Sequence, residues 1–152
     1  MEASAQIATE EQLLACFRRI DRRDVELGDD VRFPMLLGRV VTWSYGNRAF
    51  LVLRERGTGA PLGLVFRRTA VAAARVASMC AWCQRVRTRA EVQLLSARVT
   101  ARRTIGQYLC SDLSCFTVGE PSVFEPPDAA LIRIQRALDR VHELVAQRLR
   151  GD

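Results

Sequence analysis

The spacing of apolar positions changes along the chain, and the changes divide it into predicted elements. Over residues 10–23, Leu13, Leu14, Phe17 and Ile20 recur at helical intervals, which predicts an amphipathic helix. Thr9 stands where it can cap that helix, Gln12 follows three residues later as in a capping box, and Glu10 and Glu11 suit the first turn. Arg18, Arg19, Arg22 and Arg23 crowd the predicted C-terminal end, where the helix dipole favours cations. Residues 24–31 are acidic and contain Gly28, and Pro34 marks a further break, so a loop is expected there. The pattern then shifts to short apolar runs at 37–43, 48–54 and 62–68. Turn-forming stretches at 44–47 and 55–61, with Gly46, Gly57 and Gly59, separate them. Three such runs predict an antiparallel meander. Trp43, Phe50 and Phe66 are expected in its core or in cross-strand packing rather than as a base-stacking platform.

Beyond the meander, the alanine-rich stretch 69–78 fits a helix or a linking turn. Residues 92–99 and 105–109 fit the two strands of a hairpin. Gly119, Pro121, Pro126 and Pro127 make 119–127 irregular, and Asp128 can cap a final helix running to about residue 149. Its apolar positions, Leu131, Ile134, Leu138, Val141 and Val145, alternate steps of three and four. That stripe is expected to dock on the sheet; a seam offered to a partner helix is the alternative. The expected class is therefore α+β. Residues 1–36 hold the N-terminal helix and loop. Residues 37–152 hold the meander, a cysteine-bearing segment at 79–118 and the last helix at 128–149, as one compact domain.

Composition adds a charge asymmetry. All 23 basic residues are arginine, giving a net charge of +6 over 152 residues. Residues 67–110 hold nine arginines against Glu91 alone, whereas 1–66 balance and 111–152 are slightly acidic. Each arginine offers a permanently charged planar fork for carboxylate or phosphate. The first residues are acidic and carry no secretory signal pattern. The longest uncharged run is ten residues, 57–66, short of the roughly 20 that a membrane span needs. A reducing cytoplasm is the expected setting, with no membrane partner.

Within the basic region lies the chemistry. Cys80-Ala81-Trp82-Cys83 is followed, one hairpin later, by Cys110-Ser111-Asp112-Leu113-Ser114-Cys115. Two close pairs of thiolates brought together by a hairpin suit one tetrahedral Zn²⁺ in a closed, structural site. Two disulfides are the competing reading, but nothing in the chain points to an oxidising compartment. A redox Cys-x-x-Cys leaves Cys110 and Cys115 unused, and chance placement of buried cysteines is the bland alternative. Cys80 and Cys83 are expected on a knuckle turn. Cys115 is expected on the first turn of a short helix capped by Ser111 or Asp112. Knuckle, hairpin and helix in that order make a treble clef. Four thiolates around one Zn²⁺ leave about −2, which the helix end and Arg85, Arg87 and Arg89 can offset. Cys16 is expected to be a small buried residue outside this set, and His142, the only histidine, a helix-face residue.

The segment Met79-Cys80-Ala81-Trp82-Cys83, with Gly106-Gln107-Tyr108-Leu109-Cys110-Ser111-Asp112-Leu113-Ser114-Cys115, resembles the zinc finger of the elongation-factor-G-binding proteins. These are the FusB-type fusidic-acid-resistance proteins and the wider set of bacterial FBP-domain proteins. The order of the other segments is similar too, so the likeness covers most of the chain. The resemblance implies that the chain binds elongation factor G, with the finger as the principal contact and release of the factor from the ribosome as the outcome. Its Arg face, with Arg85, Arg87, Arg89, Arg98, Arg102 and Arg103, would then meet an acidic partner, beside Tyr108 and Phe116. The rival expectation is a ribosome-associated RNA-binding finger, in which those arginines meet phosphate and Trp82, Tyr108 or Phe116 stack on bases. No phosphate-cradling glycine motif, paired Ser or Cys with His, or acid/base carboxylate pair is evident. No enzymatic activity and no small-molecule substrate are therefore expected.

Overall fold

A computed structural model describes residues 5–69, 77–87, 91–116 and 127–151. Most of the alanine-rich stretch, Arg89, and the irregular segment expected at 119–127, up to residue 126, lie outside them. Contacts divide the chain into two compact units, 1–68 and 69–152.

In the first unit, strand β1 (Ala5–Ile7) leads into helix α1 (Glu10–Ala15). Thr9 caps α1 as expected, its Oγ1 accepting from the Gln12 amide at 3.2 Å. The Gln12 side chain reaches back to accept from the Ala8 amide at 2.8 Å, one residue before the position the capping box anticipates. The helix is shorter than the 10–23 predicted. The chain leaves it at Cys16, whose carbonyl accepts instead from the Gly63 amide at 2.9 Å. Phe17 then turns onto Gly63, where any added Cβ would lie 2.5 Å from its ring. Tertiary packing thus overrides the helical period, and the four arginines fall after α1, Arg22 and Arg23 in a 3₁₀ turn at Arg22–Asp24.

Strand β2 (Met35–Leu37) pairs antiparallel with β1, Ile7 opposite Met35. Strands β3 (Val40–Tyr45), β4 (Arg48–Arg54) and β5 (Pro61–Arg68) form the expected meander, with Trp43 opposite Phe50 and Leu51 opposite Leu64. The first strand expected at 37–43 is thus divided: Leu37 belongs to β2, and β3 starts at Val40. Gly46, at φ +60°, supplies the left-handed turn position between β3 and β4. Trp43 stacks on Phe50 with centroids 5.2 Å apart, and Phe17 meets it edge-on at 6.3 Å. The Trp43 Nε1 donates to the Glu26 carbonyl at 2.9 Å. Ile7, Leu13, Met35 and Leu37 complete this core, so residues on both sides of position 36 share it. Asp24 is buried and faces Arg67 at 3.2 Å and Arg48 at 3.7 Å, which ties the loop to the strands.

In the second unit, β6 (Ser78–Met79) and β7 (Val86–Arg87) pair around the first cysteine turn. Strands β8 (Val92–Arg98) and β9 (Thr104–Cys110) form the predicted hairpin, with Ser96 opposite Gly106. Helix α2 (Pro127–Gly151) follows. Its packed stripe is Ile134, Ala137, Leu138, Val141, Leu144 and Val145, all buried. Leu131 extends the same spacing in sequence but lies one turn ahead of the packed row and is exposed. No helix among the described residues is long and apolar enough to cross a membrane.

Candidate metal centre

Two tight turns present the four predicted ligands. In the first, the Cys80 amide donates to the Arg85 carbonyl and the Gln84 amide to the Cys80 carbonyl, both at 2.9 Å. Gln84 closes this turn at φ +63°. The Cys83 amide points at the Cys80 sulfur, 3.5 Å away. The second turn repeats the device. The Leu113 amide donates to the Cys110 carbonyl at 2.9 Å, with Leu113 at φ +57°. The two turns are pinned to the hairpin by hydrogen bonds from the Ala81 amide to the Tyr108 carbonyl at 2.7 Å and from the Ser111 amide to the Glu91 carbonyl at 2.9 Å.

The result is a buried cluster of Cys80, Cys83, Cys110 and Cys115, all four Sγ atoms within 4.8 Å of one another. Cys80 and Cys115 sulfurs are 3.5 Å apart, and Cys83 and Cys110 sulfurs 3.7 Å. A tetrahedral ion with Zn–S bonds of about 2.3 Å sets its sulfurs about 3.8 Å apart, so the observed spacing fits one Zn²⁺. The four thiols also shift one another's pKa. Hydrogen bonds from neighbouring thiols, led by Cys110, hold Cys83 far below the ordinary thiol range. Those led by Cys115 bring Cys110 down to about 6. Cys80 and Cys115 are pushed upward, each chiefly through its bond with Cys110. One divalent ion held by four thiolates leaves a charge of about −2. Bound there, zinc supplies a crosslink between the two turns; with four thiolate ligands the site is closed.

Arginine balances the residual charge. Arg85, expected on a partner-facing surface, is half-buried and turns inward, its Nη2 3.8 Å from the Cys110 sulfur and 3.5 Å from the Ser114 carbonyl. Burial works against its charge, but the hydrogen bond and field of Cys83, then of Cys110, outweigh burial and raise its pKa. Arg87 is likewise half-buried, donating to Ser114 Oγ at 3.1 Å and to Glu91 at 3.3 Å. Among the described residues, the expected arginine shell is thus Arg85 and Arg87. The helix expected around Cys115 is only a 3₁₀ turn, Ser114–Phe116, capped by Asp112 Oδ1 accepting from the Ser114 amide at 3.0 Å. Three residues form too short a dipole to carry the neutralisation, and the guanidinium of Arg85 takes that place.

Of the other predicted positions, Arg98, Arg102 and Arg103 are exposed at and beside the hairpin tip, and Tyr108 is 52% exposed on β9. Trp82, expected among the exposed stacking residues, is 1% exposed. It packs on Phe116 at 5.9 Å, and its Nε1 donates to Gln107 Oε1 at 3.2 Å. An apolar ring inside a Cys-x-x-Cys turn is the signal that marked it for burial. Gln84, Leu113 and Ser114 were not anticipated. The first two occupy left-handed positions usually filled by glycine or asparagine, so residue type gave no hint. Cys16 lies in the other unit, donating to the Gln12 carbonyl, with its thiol pKa raised by burial. His142 is half-buried on α2 and is not part of the cluster.

No curated protein and no solved structure matches the chain significantly. A family model does, that of the FBP C-terminal treble-clef zinc finger, over residues 13–147. With a match across most of both units and four buried cysteine sulfurs set to hold one structural Zn²⁺, the chain belongs to the FBP C-terminal treble-clef zinc-finger family.

Proposed function

We propose that this chain is a non-catalytic, cytoplasmic binding module whose partner is translation elongation factor G, and that binding promotes release or recycling of the factor on the ribosome. The observation that carries this reading is the family match over 13–147, which includes the finger and the whole meander. The exposed arginines agree with it. Arg98, Arg102 and Arg103 cluster at the hairpin tip, where guanidinium forks suit the carboxylates of an acidic partner. Arg85 and Arg87 serve the metal centre and contribute indirectly, by holding the finger's shape. RNA is the second reading, favoured by the same exposed arginines and by the exposed Tyr108 further along β9. The packing of Trp82 against Phe116 takes Trp82 away from base stacking.

Calorimetric titration with elongation factor G purified from the same cell tests the proposal. Binding at micromolar strength or tighter is expected. Arg102→Glu combined with Arg103→Glu should weaken it at least about tenfold while zinc content and melting stay unchanged. No binding at about 100 μM, together with ribosomal RNA binding that falls steeply from low to physiological salt, would overturn the reading in favour of RNA.

A further inference from the structure

Strand β9 ends its sheet among the described residues. The parity of its backbone groups follows from two observed bonds. The Arg103 carbonyl accepts from Val99, on the β8 side, whereas the Tyr108 carbonyl accepts from Ala81, on the opposite side. In an antiparallel strand the two sides alternate residue by residue. Thr104 and Gly106 therefore turn their N–H and C=O groups away from β8, along an edge that the first cysteine turn covers only at Tyr108.

Beside that edge lies a cleft of about 340 Å³, whose walls include Met79, Ile105 and Leu144, with Gln107, Arg140 and Glu143 among its polar groups. Met79 is 56% exposed although it immediately precedes a buried ligand. Ile105 lies between Thr104 and Gly106 and faces the cleft, so a strand added to this edge would direct alternate side chains into it. Arg102 and Arg103, both exposed, lead directly into Thr104. Among the described residues, Arg140 on the cleft pairs with Glu143 in an exposed contact at 3.4 Å.

We propose that the β9 edge at Thr104 and Gly106, with the adjoining cleft, takes an extended acidic segment of a partner protein, added as a further strand with one aliphatic side chain in the cleft. Backbone bonds to Thr104 and Gly106 supply the pairing, the Met79, Ile105 and Leu144 walls select an aliphatic residue, and Arg102 and Arg103 select acid at the end nearest the hairpin tip. The inference does not rest on the elongation-factor reading, since it specifies a peptide chemistry and not the protein that carries it.

The test uses the zinc-loaded full chain, labelled with ¹⁵N, titrated with the probe acetyl-Glu-Glu-Val-Ile-Val-amide. The Thr104 and Gly106 amides should shift and gain protection from exchange, with a Kd between about 10 μM and 1 mM. Lysine in place of the probe's acids should weaken binding at least about fivefold. Thr104→Pro removes an outward N–H without touching the β8 ladder and should weaken binding to a similar extent. If that variant fails to fold, Met79→Glu, which changes an exposed wall of the cleft, carries the same expectation with zinc content as its control. The proposal is overturned by absence of shifts at about 2 mM probe, by shifts confined to other surfaces, by undiminished binding to Met79→Glu, or by self-association that occupies the edge. Whole elongation factor G is titrated separately, so either reading can fail alone.

Discussion

Replacing Arg85 by Met isolates the electrostatic half of the metal centre. The substitution keeps much of the aliphatic stem and removes the guanidinium whose Nη2 lies 3.8 Å from the Cys110 sulfur. At an effective dielectric of about 20, two unit charges at that distance interact by about 4 kcal/mol. The zinc–tetrathiolate group carries about −2 spread over four sulfurs, so each bears about half a charge and the term falls to about 2 kcal/mol. Desolvation of the half-buried guanidinium opposes the gain, and the field of Cys83 adds to it. The expected result is zinc affinity weaker by about 30-fold, within the range for residues that support metal ligands. The assay is competition for Zn²⁺ against a chromophoric chelator at neutral pH, with Arg98→Met at the exposed hairpin end as the control. Arg85→Lys should recover part of the loss by restoring charge without the fork. If Arg85→Met binds zinc within twofold of the parent, the guanidinium does not stabilise the thiolates and the reasoning fails.

Cys110→Ser should abolish stoichiometric zinc and unfold the finger, since structural zinc contributes on the order of 10 kcal/mol; metal analysis with circular dichroism checks it, and Cys16→Ser should leave zinc content unchanged. Gly63→Ala forces a methyl group into the Phe17 ring and should destabilise the chain by about 1–3 kcal/mol, which thermal melting measures. Adding Phe17→Leu to Gly63→Ala should return part of that loss, and simple additivity of the two changes would refute the contact. Trp82→Ala removes a buried ring and should cost about 3–5 kcal/mol in denaturant melts. A Trp82→Ala protein that keeps its stability but loses RNA affinity would reverse the assignment of this residue to packing.

What was legible in the sequence had local causes. Strand β4 runs over the expected 48–54 because apolar residues fill it and turn residues bound it on both sides. The metal site was legible because four thiols at two short spacings permit few other arrangements in a reducing setting. The start of α1 was legible in Thr9 and Gln12, whose bonds are all local. Its end was not, because the decision is made by Gly63, far along the chain, which lets Phe17 approach the backbone. Strands β1 and β2 escaped for a related reason: each is three residues long, too short to show a period, and each is defined by the other. Leu131 kept the helical spacing while leaving the packed stripe, since periodicity names a face and not the length of surface available to cover it.

The arginines show why composition misled about the site while pointing to the right region. A run of nine against one acid over 67–110 reads as a single basic face. In the fold it divides by depth. Arg85 and Arg87 follow the first cysteine turn, Arg85 just before β7 and Arg87 within it, and both reach Cys110 or Ser114, where a buried anionic cluster needs cations close by. Arg102 and Arg103 follow the hairpin turn and stay exposed. The first pair is fixed by what the metal centre requires and the second is not, so their substitutions should separate. Loss at Arg85 or Arg87 should change zinc affinity, with partner binding following the state of the finger. Loss at Arg102 and Arg103 should change partner association and its salt dependence with zinc untouched. A total charge cannot make that distinction, whereas distance from the four sulfurs does.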